Sequence, residues 1–323
     1  MRFLWVLFLV VASPLVACPD FADVPRSLSY PSPYVAGDPT KSQISKSQHA
    51  QMKAAVAPID DALQALARVA DDLPDPDAQR CLTSHLQHWA QQDGLAELQT
   101  LQARLTIGAR LAGFAILARR LKAAGAIEAD LRDISQWLSR LARAQVSFWE
   151  AEAPPLARKG NLRAWASLAV WLIGELQGST ILMEWARAGQ AQVICAANTD
   201  GSLPIEMRRG QFSLHYQLHA VAPLVVLAAF QKQAQRPAPC EAALRRAVEY
   251  ALSDIKTGSK TAARTGVVQS YFNGTETLAP HELAWIEAYL TLEASGPAFK
   301  LARDLRPLRA SKLGGNQTKL WGH

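Results

Sequence analysis

The sequence predicts an all-α protein, a single domain of antiparallel helical hairpins curved around a groove. Three observations predict it. Apolar residues recur every three or four positions along most of the chain, strand-like alternation is almost absent, and Gly, Pro, Asn and Asp gather in short breaks between the periodic runs. The 323 residues, 49% hydrophobic and 19% charged, suffice for a large core and argue against disorder.

The elements follow in chain order. "MRFLWVLFLVVASPLVAC" pairs one arginine with an apolar run and a small residue at Ala17, the pattern of an export signal over 1–17. No later segment holds eighteen apolar residues without charge, so no transmembrane span is expected in the mature form. Residues 18–40, rich in Pro, Ser and Asp, make an irregular arm. Helical periodicity then covers 44–73 and stops at "PDPD"; it resumes over 79–93, 98–125, 127–151, 162–179, 181–197, 207–233, 241–256 and 281–292. The polar stretch 257–280 is expected to be loop. No repeat of fixed period and no linker splits the chain, so 18–323 is expected to be one domain and a monomer.

Composition also excludes function classes. The net charge of +6 attracts anions weakly, but no lysine-rich block or aromatic–basic motif points to nucleic acid. The four cysteines, Cys18, Cys81, Cys195 and Cys240, contain no CxxC. No His/Asp/Glu cluster has ligand spacing either, so neither a metal nor another cofactor is expected. An exported Cys18 has two fates, a disulfide with Cys81 or lipid attachment at the "LVAC" box, giving a soluble periplasmic protein or a lipid-anchored one. Cys195 and Cys240 fall at opposite ends of a helix about 30 Å long if their segments form a simple hairpin, so they are expected to stay unbridged.

One stretch concentrates chemistry. "LPIEMRRGQFSLHY", 203–216, sets Arg208, Arg209, His215 and Tyr216 at the start of an apolar helix. A seven-residue separation places Arg209 and Tyr216 on one helical face, about 10 Å apart. A phenol is protonated at neutral pH, so one that takes up a proton needs cations nearby.

The order of six segments then resembles a known family. "YVAGDPTKSQIS" (34–45), "RCLTSHLQHWAQQDGL" (80–95), "GNLRAWASLAVWLIG" (160–174), "GSLPIEMRRGQFSLHYQLHAVAPLVVLAAF" (201–230), "ELAWIEAY" (282–289) and "LGGNQTKLWG" (313–322) are similar to motifs of the alginate lyases that cleave poly-mannuronate. The resemblance covers most of the mature chain and implies an incomplete α/α barrel, a toroid, with a substrate groove. It implies β-elimination beside a uronate carboxylate and an acidic polysaccharide as partner. The family's catalytic groups then fall on Asn161 and Arg209, which meet the carboxylate, and on Tyr216, base and acid at once. Its lid tyrosine falls on Tyr34. Lys41, Arg208, Trp165 and His219 are further candidate substrate contacts, Trp165 lying one turn beyond Asn161 and His219 three residues beyond Tyr216. The family's histidine position holds Leu162. That departure keeps two alternatives open: a polyuronate-binding protein with impaired catalysis, and a lyase for another acidic glycan.

Overall fold

The computed structural model describes residues 18–21 and 23–322; the export segment expected over 1–17 lies outside them. Helices dominate: α1 (Lys46–Ala70), α2 (Pro76–Gln91), α3 (Leu101–Thr106), α4 (Gly108–Ala123), α5 (Glu128–Ala151), α6 (Asn161–Gln177), α7 (Thr180–Ile194), α8 (Ser213–Gln233), α9 (Glu241–Asp254), α10 (Ser259–Thr265), α11 (Ile286–Leu292), α12 (Gly296–Leu305) and α13 (Gln317–Trp321). Two small pairings interrupt them. β1 (Ser27–Leu28) runs parallel to β2 (Glu97–Leu98), and β3 (Arg309–Ala310) antiparallel to β4 (Gly315–Asn316). Local chemistry sets the helix ends. Asp75 accepts from the N–H groups of Asp77 and Ala78 ahead of α2, with Pro76 in the first turn, and Gly178 closes α6 at φ 63°.

Three helices form the inner layer of an incomplete α/α barrel. α4, α6 and α8 are apolar nearly all round and buried along most of their length, as core helices must be. The segment Gly210–Gln233 is long and apolar enough to cross a membrane, yet 83% of its most apolar window lies inside the protein. The three run in the same direction. A Cβ on Gly108 would come within 2.8 Å of the Ala166 nitrogen, and the Trp165 indole donates to the His219 carbonyl at 3.1 Å. At their other ends, Arg119 of α4 bonds Glu175 of α6 and Gln233 of α8, both at 3.0 Å. The starts of α4, α6 and α8 therefore lie side by side at one mouth.

Several expectations need correction. The run 98–125 breaks at Ile107 into α3 and α4. The stretch 257–280 carries α10, held between Gly258 and Gly266, both in the left-handed region. α12 and α13 occupy C-terminal residues given no periodic assignment. Cys18 bonds Cys81, as expected, with Cα atoms 5.7 Å apart. Its sulfur is thereby occupied, so a lipid at Cys18 requires that bridge to be absent. Cys195 also bonds Cys240, Cα–Cα 5.4 Å, against the expectation that both stay unbridged. The helices do not form a simple hairpin. Gln190 near the end of α7 accepts from Gln231 near the end of α8, so Cys195 already sits at the far end of α8, and irregular chain over 196–212 returns to its start. Bridged cysteines place the protein outside the reducing cytosol.

Candidate active site

Tyr216 stands in the first turn of α8, at the mouth. Arg209 is not on that helix. It sits between two short 3-10 turns, and Gly210 at φ 53° reverses the chain before α8 begins. The expected 10 Å separation is therefore wrong. The Arg209 guanidinium lies over the Tyr216 ring, 3.7 Å from its centroid. The cation thus lies against the face of the phenol's π system.

Asn161 opens α6 but does not cap it; Gly160 holds that position. The capping acceptor comes from elsewhere. Glu206, fully buried, accepts from the Asn161 backbone N–H at 2.7 Å and from its side-chain amide at 2.9 Å. Burial pushes the Glu206 carboxyl above its ordinary value, while the two bonds from Asn161 and the nearby Arg209 oppose that rise. The Asn161 Oδ1 atom is buried and meets no donor among the described residues.

The segment 34–44 closes as a lid over Arg209 and Tyr216. Tyr34 bridges to Ile44, and Asp38 holds the turn between them by accepting from the N–H groups of Thr40, Ser42 and Gln43 and from the Thr40 hydroxyl. Those bonds outweigh the Asp38 desolvation penalty and keep its carboxyl well below the usual range. The lid docks on the catalytic candidates themselves. The Tyr34 and Tyr216 hydroxyls are hydrogen-bonded, and the Arg209 guanidinium donates to the Thr40 carbonyl at 3.1 Å and the Lys41 carbonyl at 3.2 Å. Gln211 donates to the Ser42 carbonyl at 2.9 Å. Burial and then the neighbouring Tyr216 phenol push the Tyr34 phenol far above its ordinary value, so Tyr34 remains protonated.

The other candidates separate. His219 is half-buried, its ring centroid 6.2 Å from that of Tyr216; desolvation, then the charges of His215, Lys312 and Arg209, depress its basicity and leave it neutral. Trp165 is only 5% exposed and backs the His219 ring at 5.4 Å, so it offers a sugar little surface in this closed form. Lys41 and Arg208 are exposed, with the Lys41 ammonium 5.9 Å from the Tyr34 ring. Leu162 packs against the cluster of Phe148, Trp149, Ala153 and Ala166. Sequence reasoning missed two groups. Glu206 was visible as an acid inside the apolar run "SLPIEM", a placement that signals a bonded, buried carboxylate. Tyr271 joins His215 at 3.1 Å and Glu282 at 2.5 Å behind Tyr216, and only the fold brings it there.

Comparison with known proteins gives a consistent picture. A family model described as alginate lyase matches residues 29–261. A polysaccharide lyase of Stenotrophomonas maltophilia (strain K279a) is 29% identical over 98% of this chain and 94% of its own. An alginate lyase of Cobetia marina is 27% identical over 58% of this chain, a match spanning 50% of that relative's length. Alginate lyase A1-III from Sphingomonas species A1 superposes with TM-score 0.77 at 20% identity, covering 97% of this chain and 88% of its own. A tetrasaccharide complex of alginate lyase A1-III superposes at TM-score 0.81 with the same coverage.

Proposed function

The chain belongs to the alginate lyase family, and on that footing we propose that it is a periplasmic polysaccharide lyase which cleaves a polyuronate, mannuronate-rich alginate first, by β-elimination. Residues 18–323 act as one domain, since a continuous apolar core runs from Leu28 to Trp321. The observation that carries the reading is the stacking of Arg209 on Tyr216 under the Tyr34 lid, beside the Asn161–Glu206 pair.

Elimination removes the proton at C5 while negative charge spreads into the neighbouring carboxylate, and the C4–O4 bond then breaks. Asn161 and Arg209 are the groups that meet that carboxylate, so they act most strongly when its charge grows. Tyr216 takes the C5 proton and returns a proton to the departing O4 oxygen. One phenol can do both only if the C5 hydrogen and O4 lie on the same face of the ring. They do in β-mannuronate and β-glucuronate and do not in guluronate. Arg209 supports the phenol while it carries charge. Tyr34, held protonated, donates to the Tyr216 oxygen and shields the site from water. Its bond to Tyr216 and those from Arg209 to the lid are exchanged for bonds to the polymer when substrate enters. His219, neutral, serves as a hydrogen-bond partner for the sugar and partly fills the role left by Leu162; Lys41 and Arg208 meet further carboxylates along the chain. Trp165 holds the His219 carbonyl.

Incubation with polymannuronate followed by mass spectrometry tests this. Lyase products together contain no added water and each new non-reducing end is unsaturated; products that have gained water would replace the lyase by a hydrolase. Tight binding without any product would establish the binding-protein alternative.

A further inference from the structure

We propose that Cys18, Cys81 and His85 form a zinc site when the Cys18–Cys81 bridge is reduced. Metal and disulfide then alternate as the tie between the N-terminal arm and α2.

Three donors converge there. Cys81 and His85 stand four residues apart on one face of α2, 7% and 4% exposed. Cys18 comes to them from the arm through its bond to Cys81. One donor atom from each of the three lies within 4.8 Å of the others. A tetrahedral zinc site with two thiolates and an imidazole spaces its ligand atoms about 3.5–3.8 Å apart, so small side-chain turns suffice. Among the described residues no other three His, Cys, Asp or Glu side chains gather so closely.

The imidazole is oriented as a ligand. Its Nε2 lies 3.0 Å from the Pro19 carbonyl, which can only accept. In the neutral ring Nε2 therefore carries the proton and Nδ1 keeps its lone pair. Nδ1 has no hydrogen-bond partner among the described residues. A backbone carbonyl on the far nitrogen is a usual support of a metal-bound histidine. Phe21 covers the ring from the arm at 4.5 Å and also meets the His88 ring at 4.8 Å. A structural disulfide requires neither the imidazole nor its carbonyl partner.

The arm has other ties than the bridge. β1 pairs with β2, and the Leu95 N–H donates to the Pro25 carbonyl at 2.9 Å. Reduction by a dithiol therefore leaves both sulfurs beside His85. The dithiol gives up two electrons and becomes a disulfide, while the Cys18–Cys81 bond is replaced by two thiols. Zinc then displaces the two thiol protons to solvent. Two thiolates balance its charge, and water fills the fourth position beside exposed Cys18. The metal keeps the arm, and the segment leading to Tyr34, anchored while the bridge is open.

Protein carrying Cys195→Ser with Cys240→Ser, reduced by a phosphine under argon, tests this with cobalt and zinc. One cobalt per chain should give thiolate charge-transfer absorption and the visible bands of a tetrahedral site, and zinc should bleach both. X-ray absorption of the zinc form should find two sulfurs at about 2.3 Å and a nitrogen at about 2.0–2.1 Å. His85→Gln keeps a donor for Pro19 but has no Nδ1, and should weaken zinc binding roughly tenfold or more. Zinc should slow hydrogen exchange over 18–28 in the reduced protein and leave the oxidised protein unchanged. If the double variant does not fold, the reduced wild type replaces it, and Cys18→Ser should remove one zinc-bound sulfur. Absence of thiolate absorption, a zinc shell of oxygen and nitrogen alone, equal affinity in His85→Gln, or exchange over 18–28 indifferent to zinc overturns the proposal.

Discussion

Replacing Glu206 by Gln separates the role of Asn161 from its mere presence. Glu206 offers two acceptor oxygens, one to the Asn161 backbone N–H at 2.7 Å and one to its side-chain amide at 2.9 Å. Glutamine keeps one acceptor and turns the other into a donor. The Asn161 amide then faces a like group and must rotate, which presents Oδ1 where its N–H₂ had been. A hydrogen bond to a charged group is worth about 1.5–3 kcal/mol. If the misdirected amide fails the developing carboxylate charge by that amount, turnover falls roughly 10- to 150-fold. Because the loss is felt mainly in the transition state, kcat should carry it while KM moves little. Stability should behave differently. Burial raises the folded-state value of Glu206, so its contribution is full below the ordinary Glu range and declines as pH rises through the raised value. The melting temperature of Glu206→Gln, which does not titrate there, should therefore gain on the wild type as pH rises through that window. Initial rates read from the ultraviolet absorption of the new C4–C5 double bond provide the assay. A Glu206→Gln enzyme that turns over within about twofold of wild type would show that Asn161 needs no orienting partner, and the reasoning would fail.

The remaining predictions concern the lid, the substituted histidine position and the second disulfide. Asp38→Ala removes the acceptor for three backbone N–H groups of the lid, so hydrogen exchange over 34–44 should quicken and KM should rise; unchanged exchange would mean that the turn holds without Asp38. Leu162→His puts an imidazole against the cluster of Phe148 and Trp149 and should cost about 1–3 kcal/mol in denaturant unfolding, an outcome contradicted by a variant as stable as wild type. Cys195→Ser with Cys240→Ser opens a loop of sequence separation 45, for which chain entropy predicts a loss of about 4 kcal/mol, and non-reducing peptide mapping of the wild type should recover the linked pair.

Much of the fold was legible because helical periodicity is a local signal. α1, α5 and α9 are amphipathic, and their sequence runs agree with the observed elements to within a few residues. α12 repeats apolar residues as clearly but is short, carries Pro297 in its first turn and is followed by Pro307, which masked it. The site was legible as a set of residue types and illegible as geometry. Tyr34, Arg209 and Tyr216 were named from motifs, yet the stacking of Arg209 on Tyr216 depends on Gly210 taking a left-handed backbone, and spacing on an assumed helix pointed to a wider gap. The Cys195–Cys240 bridge escaped for a related reason. Whether two helix ends meet depends on the path of 196–212, and irregular chain carries no periodicity to read. Asp60 and Arg110 come together across fifty positions of sequence, a pairing that only the packing of α1 on α4 reveals.

In the proposed reaction Tyr216 carries the proton in an elimination on one face of a uronate ring. Its most direct test compares wild type with Tyr216→Phe on polymannuronate, polyguluronate, polyglucuronate and acetylated alginate, following the C4–C5 double bond by ultraviolet absorption. Unsaturated product is expected from the wild type on polymannuronate, little on polyguluronate, and a loss of roughly 10²–10⁴-fold in Tyr216→Phe with polymer affinity nearly retained. Equal rates for wild type and Tyr216→Phe, or absorption that rises only with polyguluronate, would contradict it.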